Sequence, residues 1–421
     1  MLPRVEVDGY AEDDLRPTAR ALEELFGAPM TILRYADRAS DETRRVLEVV
    51  YVLESPKFGE TPLPGAAWVG REAMAELPLA APNQRDVADR YLSELERQSV
   101  PVQRVPWARE GWLSETCEWI EESLAARGRP ATGRIEQIRA WCLSCLLQVP
   151  TADGAVFFKA TAGSPLFVDE GAVMLGLARL FPENVPTPLA IERTRRWMLL
   201  DDLGPELGWN TPLDVREDVL RLFARMQIES SGRVDELLAL GCVDRRLEWL
   251  AAQITELLAD DAALAGLEDG EVATLRALGP KLEAVCLGLA ETGISDALVH
   301  GDLHLSNVAL VDGQYVFFDW TDAGVTHPFF DLIDVFRERD DSVRERLRDA
   351  YLSMWLDYEP MDRLLDIWKD AESLAMLHHA VSYRHILANV EPGAGGELEW
   401  ALPYFLRKVL TSSGSQETST T

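Results

Sequence analysis

A short β-hairpin signal inside a long helical region constrains this chain more than any other feature. Residues 297–324 read ALVHGDLHLSNVALVDGQYVFFDWTDAG, and Asp312 and Gly313 separate two apolar, β-rich runs. Asp-Gly is a preferred pair for a two-residue hairpin turn, because both positions tolerate a positive φ. If the strands pair symmetrically about this turn, counting outward places Asn307 opposite Phe318 at the end of the hairpin.

This register brings two oxygen ligands together. Asn307 ends one strand, and Asp319 ends the other strand diagonally across from it. An amide oxygen and a carboxylate that converge on one point suit Mg²⁺, which binds a few protein ligands together with phosphate oxygens. Asp302 precedes Asn307 by five residues on a loop, where its carboxylate can reach the same cavity. Phosphoryl transfer requires such an arrangement, in which one carboxylate orients the attacking hydroxyl and metal neutralises charge.

The rest of the chain predicts an α+β fold with two lobes and an accessory region. Apolar, β-branched runs joined by Asp153-Gly154 indicate a hairpin, and two further strands and one helix complete a five-stranded antiparallel sheet. Beyond Asn210 the pattern is mainly helical apart from the hairpin. We predict a small α+β accessory domain at residues 1–104, an N-terminal lobe at 105–203, a helical C-terminal lobe at 204–411 and a disordered tail at 412–421.

Charge and composition exclude several classes of function. The chain has 41 basic and 71 acidic residues, a formal net charge of -30. Such a field repels nucleic acid, whose binding depends on neutralising phosphates. The acidity suits a cationic substrate and equally suits plain solubility. No run approaches the roughly 20 apolar residues of a membrane helix, and the first residues lack signal-peptide features, so we expect a cytoplasmic protein with no membrane partner.

The cysteines do not indicate a disulfide framework or a zinc site. The chain has 5 cysteines, an odd number scattered over its length. Cys142 and Cys145 form a C-x-x-C pair, but zinc would need a second pair. We interpret both as ordinary thiols in a strand region.

The hairpin region also resembles a known catalytic signature. HGDLHLSN, followed twelve residues later by the Asp of FFDW, is similar to the H-x-D-x-x-x-x-N motif and metal-binding Asp of the aminoglycoside phosphotransferase and choline kinase-like family. The resemblance covers roughly residues 106–410 and implies a bilobal protein-kinase-like fold. It implies Asp302 as the catalytic base, His300 as a support of the catalytic loop, and Asn307 and Asp319 as magnesium ligands. We expect Asp331 to cap or brace a solvated helix start.

The resemblance further implies a nucleotide site upstream. Lys159 ends a strand as the family's phosphate-binding lysine does, and Glu170 opens the next helix, where the partner of that lysine belongs. The segment LLDDLG resembles the hinge whose backbone groups hydrogen-bond adenine. No glycine-rich loop precedes the lysine, so we assign the phosphate loop to the first hairpin of the sheet. The expected nucleotide-binding residues are Lys159, Glu170, Ser144, Asp201 and Leu203.

On this resemblance the chain is a magnesium-dependent kinase. It would move the γ-phosphate of ATP or GTP to a hydroxyl of a sugar, an amino alcohol or an aminoglycoside-like substrate. Two other functions stay open. One is a nucleotide-binding pseudokinase, a regulatory module that acts through its N-terminal domain, although every catalytic position is filled. The other is a metal-dependent hydrolase that uses His300, Asp302 and His304 and does not need Lys159. The acceptor and the oligomeric state are not encoded in any recognisable pattern.

Overall fold

The computed structural model divides the chain into two compact units. It describes residues 3–8, 14–41, 43, 45–55, 67, 69–79, 82–97, 100–208 and 210–414. The first unit comprises Met1–Ala162, Trp197–Asp202 and Asn389–Glu397, and the second comprises Gly163–Arg196, Leu203–Ala388 and Leu398–Thr421. Within the described residues, no helix has the length and apolar character needed to span a bilayer.

The first unit contains a small α+β region and an antiparallel sheet. Its elements are α1 (Arg16–Phe26), β1 (Thr31–Asp41), β2 (Val46–Glu54), α2 (Arg71–Glu76), α3 (Pro82–Arg97), α4 (Trp112–Ala125), β3 (Glu136–Ala140), β4 (Ser144–Thr151), β5 (Gly154–Thr161) and β7 (Trp197–Asp201). Between β5 and β7 the chain forms α5 (Glu170–Leu180) and β6 (Ala190–Glu192), which belong to the second unit. Strands β1 and β2 form a hairpin. The large sheet has five strands in the order β3-β4-β5-β7-β6. The predicted α+β fold with a five-stranded antiparallel sheet is confirmed.

Alternation along β5 sets the direction of its side chains. Val156 and Phe158 are fully buried, and the Phe158 ring lies 6.1 Å from that of Trp112 and 5.6 Å from that of Trp197. Because successive side chains of a strand point to opposite faces, Lys159 leaves the sheet on the face opposite this aromatic core. Burial of the aromatic rings thus determines where the lysine points.

Arg104 ties separate segments of the first unit together. Its guanidinium is 5% exposed and donates to both carboxylate oxygens of Glu94 at 2.7 and 2.9 Å. It also donates to both oxygens of Glu391 at 2.5 and 2.6 Å. Arg34 shares the Glu94 carboxylate at 2.9 Å. The planar fork of arginine suits two bidentate pairs at once, so this cluster fastens residues 389–397 to the accessory region.

Replacing Arg104 by Lys should destabilise the protein by about 2–4 kcal/mol, because an ammonium cannot pair bidentately with two partly buried carboxylates and leaves charge uncompensated. The matched control is Arg20→Lys, since the Arg20 to Glu136 pair is exposed, at 3.0 Å, and such pairs contribute about 0–1 kcal/mol. Denaturant unfolding measures both. Equal effects would show that the Arg104 cluster is no stronger than a surface ion pair.

The second unit is mainly helical. Besides α5 and β6 it contains α6 (Leu213–Ser231), α7 (Val234–Leu240), β8 (Val243–Asp244), α8 (Leu247–Ala259), α9 (Asp261–Leu264), α10 (Asp269–Ala290), β9 (Ala297–Val299), β10 (Val308–Val311), β11 (Gln314–Phe317), β12 (Gly324–Thr326), α11 (Ile333–Arg337), α12 (Asp341–Leu352), α13 (Met361–Asn389) and α14 (Ala401–Gly414). Strand β12 lies between β8 and β9. Of the predicted disordered tail, residues 412–414 form the end of α14. Residues 415–421 lie outside the described residues.

A large apolar core holds the helices of the second unit. Fully buried leucines come from α8, α10, α13 and α14, namely Leu250, Leu275, Leu374 and Leu406. Aromatic rings fill the space between α12 and the segment that precedes α11, where the rings of Phe329 and Tyr351 lie 5.4 Å apart. The core therefore reaches the underside of the loop that carries Asp302.

Candidate active site

The hairpin formed by β10 and β11 has the predicted register. Val311 pairs with Gln314, and Asp312 and Gly313 form the turn with φ values of 50° and 83°. Both positive values agree with the turn type that Asp-Gly favours. The N–H of Phe318 donates to the carbonyl of Asn307 at 3.0 Å, which confirms the predicted position of Asn307 at the hairpin end.

The side chain of Asn307 has a defined orientation. It is buried, and its Nδ2 donates to the carbonyl oxygen of Asp302 at 2.9 Å. Only the nitrogen of an amide can donate, so Oδ1 points to the other side. The amide oxygen is therefore directed away from the Asp302 backbone.

Asp319 lies in the left-handed region, with φ 64° and ψ 57°. Non-glycine residues adopt this conformation at an energetic cost, and such residues cluster at functional sites. The hydroxyl of Thr321 lies 3.1 Å from Oδ1 of Asp319 and 2.9 Å from Oε2 of Glu170. Glu170 is the first residue of α5 and is 1% exposed. One hydroxyl thus stands between two carboxylates, and the sequence patterns did not indicate Thr321.

The donor set at the hairpin end fits magnesium. Asn307 offers an amide oxygen and Asp319 a carboxylate, both hard oxygen ligands. Across the described ranges no group of three or more His, Cys, Asp or Glu side chains converges as a metal site. A metal here would accordingly depend on these two residues plus oxygens from phosphate and water, a set that magnesium accepts.

Asp302 presents an ionised carboxylate to solvent. Its side chain is 57% exposed, and its Oδ2 lies 3.6 Å from Nε2 of His304. Desolvation by nearby protein atoms raises the pKa of Asp302, but the pairing with His304 and weaker electrostatic contributions from His300 and His379 lower that pKa to about 2. Burial lowers the pKa of His304, while Asp302 and other nearby carboxylates raise it to a net value above the ordinary one.

His300 fixes the loop from behind. It is fully buried, and its Nε2–H donates to the carbonyl of Phe318 at 2.8 Å. Burial lowers the pKa of His300, so the ring is neutral, with its proton on Nε2 because a carbonyl only accepts. The ring also lies 4.6 Å from that of Trp320. Within the described residues no group of three or more His, Cys, Asp or Glu side chains could hold a metal ion, so the structure gives no support to the hydrolase alternative, which needs a metal bound by histidines.

Asp331 braces the same loop from below. Its carboxylate accepts the N–H of His300 at 2.7 Å and the N–H of Gly301 at 2.8 Å. The expectation that Asp331 caps or braces a solvated helix start is wrong, since Asp331 is buried and its carboxylate holds the loop of His300 and Gly301 instead. In sequence Asp331 looks like the first residue of an exposed helix. The apolar core around it excludes water from this position.

Comparison with known proteins decides the family. Residues 159–364 match the profile described as Phosphotransferase enzyme family. This part of the chain belongs to that family. No curated protein matches the sequence significantly.

Solved structures support the fold of the phosphotransferase domain. A choline/ethanolamine kinase family protein from Mesorhizobium loti is 15% identical, with a TM-score of 0.50, covering 70% of this chain and 94% of that one. A choline kinase from Streptococcus pneumoniae is 11% identical, with a TM-score of 0.51 and coverage of 72% and 99%. A variant of aminoglycoside 2′-phosphotransferase IIIa with GDP is 12% identical, with a TM-score of 0.50 and coverage of 72% and 99%. At these identities the likeness shows the protein-kinase-like fold, as predicted.

The predicted nucleotide-binding residues outside the loop lie on the expected elements. Lys159 is half-buried on the central strand β5 and is paired with Leu146 and Met198. The hydroxyl oxygen of Ser144, at the start of β4, accepts the indole N–H of Trp141 at 2.8 Å. The sequence motif predicted these positions, and their roles in the phosphotransferase domain stay predictions.

The predicted hinge, residues 199–204, begins within β7 and continues beyond its end. Asp201 ends this strand, and its carboxylate accepts from Nη1 of Arg129 at 2.6 Å. Leu203, half-buried, comes two residues later. The Asp201 carboxylate is already hydrogen-bonded to Arg129. A contact of Asp201 with adenine would therefore come from the backbone of Asp201, as the resemblance implies.

Gly301 cannot carry a side chain without disturbing the site. It has φ +83°, and an added Cβ would lie 2.4 Å from the carbonyl oxygen of Asp322. Gly313 has the same φ of +83°, but around it no described atom lies within 4 Å of such a Cβ. Substituting alanine at Gly313 tests the strain of a positive φ alone, whereas substituting alanine at Gly301 adds steric overlap to the same strain.

Gly301→Ala should lower the free energy of unfolding by about 3 kcal/mol or more, because overlap with backbone adds to the strain of a positive φ. Gly313→Ala, the control, should lower it by about 1–2 kcal/mol, the strain alone. Urea unfolding measures both values. Similar losses in the two variants would mean that the loop relaxes away from Asp322 at little expense.

Proposed function

We propose that this chain transfers the γ-phosphate of a nucleoside triphosphate, ATP or GTP, to a hydroxyl group of a small molecule. The family match makes the domain a phosphotransferase that acts on alcohol groups. The observation that carries the proposal is the arrangement around the hairpin end: an exposed, ionised Asp302 whose backbone carbonyl is held by the amide of Asn307. Both features are what phosphoryl transfer asks of its protein.

Asp302 orients the acceptor hydroxyl and receives its proton. As the hydroxyl oxygen bonds to the γ-phosphorus, the bond from that phosphorus to the bridging oxygen breaks, and a nucleoside diphosphate leaves. The low pKa of Asp302, about 2, makes the carboxylate a weak base. A loose transition state needs little proton removal before the phosphoryl group has moved, so orientation is the main contribution of this residue.

Asn307 and Asp319 would hold magnesium. When bound there, the ion neutralises charge on the phosphate oxygens. Asn307 contributes an oxygen already directed by the Asp302 carbonyl, and Asp319 contributes the single anionic ligand. The position of Asp319 is held by its left-handed backbone and by Thr321.

We assign the nucleotide to the predicted positions of the sheet and hinge. Lys159 would bind the α- and β-phosphates, with Glu170 as its partner, and Ser144 would lie in the phosphate loop. Support for Glu170 comes from its burial, because a buried carboxylate requires donors or a cation. Backbone groups at Asp201 and Leu203 would bind the base. We place the protein in the cytoplasm, where nucleoside triphosphates are supplied.

The acceptor is proposed to be a sugar, an amino alcohol or an aminoglycoside-like molecule. The structural neighbours are named for choline, ethanolamine and an aminoglycoside. Several carboxylates around His304, those of Asp302, Asp319 and Asp334, act on its pKa, and this acidic surrounding favours a cationic acceptor. Nucleic acid is disfavoured by the net charge of -30.

Asp302→Asn should lower the turnover number by about 10²–10⁴-fold, because a neutral amide neither orients the acceptor hydroxyl as the carboxylate does nor takes up its proton, while nucleotide affinity stays within about twofold. The assay measures nucleoside diphosphate release over a panel of amino alcohols, amino sugars and antibiotics. Asp312→Asn is the matched control, since it changes a turn aspartate with φ 50° that Asn also tolerates. Undiminished turnover in the Asp302 variant would refute the assignment.

Magnesium dependence should follow the hairpin ligands. A chelator should stop transfer, and Mg²⁺ but not Zn²⁺ should restore it, since the donors are hard oxygens. Asp319→Asn should raise the magnesium concentration for half-maximal rate by about tenfold or more, because it removes the anionic ligand. An unchanged magnesium requirement in Asp319→Asn and in Asn307→Ala would place the metal elsewhere.

A further inference from the structure

A buried polar chain runs beneath the loop that carries Asp302. Gln227 of α6 and Tyr351 of α12 are both fully buried. The Tyr351 hydroxyl donates to Oε1 of Gln227 at 2.5 Å. Nε2 of Gln227 donates to the carbonyl of Pro328 at 3.0 Å and to Oδ2 of Asp331 at 3.3 Å. Helix α6 thus contacts the carboxylate that braces the loop, and α12 reaches that carboxylate through Gln227.

The orientation of the Gln227 amide is set by its neighbours. The Pro328 carbonyl and an ionised Asp331 can only accept hydrogen bonds. A flipped amide would turn Oε1 toward both acceptors, leaving buried polar groups unsatisfied, which costs about 1–3 kcal/mol each. Donation from Tyr351 to Oε1 secures the orientation that presents Nε2 to Asp331.

We propose that Gln227 and Tyr351 are positioning residues of the phosphotransferase, acting through Asp331 to hold the N–H groups of His300 and Gly301 and hence the loop of Asp302. The inference rests on the proposed function for its catalytic consequence. Its structural consequence, the ordering of two backbone N–H groups, stands without it. Neither residue touches a substrate.

The charges around Asp331 make this arrangement sensitive to pH. The pKa of Asp331 is about 7: burial and Asp302 raise it, while the N–H groups of Gly301 and His300 and the charge of Arg245 lower it. Asp331 in turn raises the pKa of the Tyr351 hydroxyl, which burial already raises. Only the ionised Asp331 carboxylate accepts at once from the N–H groups of His300 and Gly301 and from Nε2 of Gln227. The loop is therefore held best above neutral pH.

Ionisation of Asp331 holds the loop but lowers the free energy of unfolding, so pH acts in opposite directions on the two. The pKa of Asp331 is about 7 in the folded protein and about 4 in an unfolded chain. The folded state therefore binds more protons between these values, and the stability from this group is lost as pH rises through about 7. Acidification from pH 7 should thus loosen the loop while it stabilises the fold.

The test compares Tyr351→Phe, Gln227→Met and the double variant with the wild type. Two quantities are measured against pH: amide hydrogen exchange at His300 and Gly301, and the turnover number. Loss of the Gln227 donor should move the acid limb of both profiles upward by about one pH unit. The KM for nucleotide should change by no more than about twofold, because the contacts to nucleotide are not altered.

The double variant should behave as Gln227→Met alone, since Tyr351 acts only through Gln227 and coupled residues are not additive. Gln253→Met is the matched control: Gln253 is buried on α8 but bonds to Glu256 and His385. It should leave both profiles in place. If Gln227→Met does not fold, Tyr351→Phe carries the test by itself.

Unshifted profiles in Tyr351→Phe and Gln227→Met, or additive shifts in the double variant, would overturn the inference. Hydrogen exchange needs no acceptor. If the wild type transfers phosphate to no hydroxyl, the proposed function is refuted. The hydrogen-exchange profiles at His300 and Gly301 would still decide whether Gln227 and Tyr351 hold the loop.

Discussion

The backbone N–H groups of His300 and Gly301 both donate to the buried carboxylate of Asp331, and the geometry of the loop that carries Asp302 depends on this interaction. The loop is tied at two further points. The His300 ring bonds to the Phe318 carbonyl, and the Asn307 amide bonds to the carbonyl of Asp302. These bonds use polar groups that would otherwise be buried unpaired. What remains exposed is the Asp302 carboxylate, which is therefore presented to solvent by a loop with little freedom to move.

The same contacts gather negative charge in a small volume. The pKa of His304 is raised by Asp302, Asp334 and Asp319, and the Thr321 hydroxyl lies between the carboxylates of Asp319 and Glu170. Like charges in partly desolvated positions repel one another. Such a cluster is stable only with hydrogen-bond donors and cations nearby, so its composition is consistent with a site for magnesium and for positively charged groups.

The hairpin and the positions of its two candidate metal ligands could be predicted because their information is local. Asp312-Gly313 determines the turn, the turn determines the register, and the register places Asn307 and Asp319. The long helices follow from periodicity. The missed elements are short: β8 and β12 have 2 and 3 residues, too few to show a period. Strand β1 carries two register irregularities, which interrupt its alternation.

The supporting residues could not be predicted for a different reason. Gln227 lies 104 positions from Asp331 and 124 from Tyr351, and no local pattern records a contact over such a separation. In sequence, Gln227 is one polar residue in an amphipathic helix and Tyr351 is one aromatic residue in another. Only the packing of α6 and α12 against the segment before α11 gives them a common partner.

On the proposed function, the low pKa of Asp302 gives the hydrogen bonds that hold its loop a purpose, which is to orient the carboxylate. A carboxylate with a pKa of about 2 gains little by acting as a strong base, and a loose phosphoryl transition state does not demand one. Under the proposed function, rate would come from placing the acceptor hydroxyl in line with the phosphorus, where small displacements reduce the rate greatly. Holding Asp331 ionised in an apolar core lowers stability near neutral pH, and a fold keeps such a group when the position of a loop matters more than the free energy it costs.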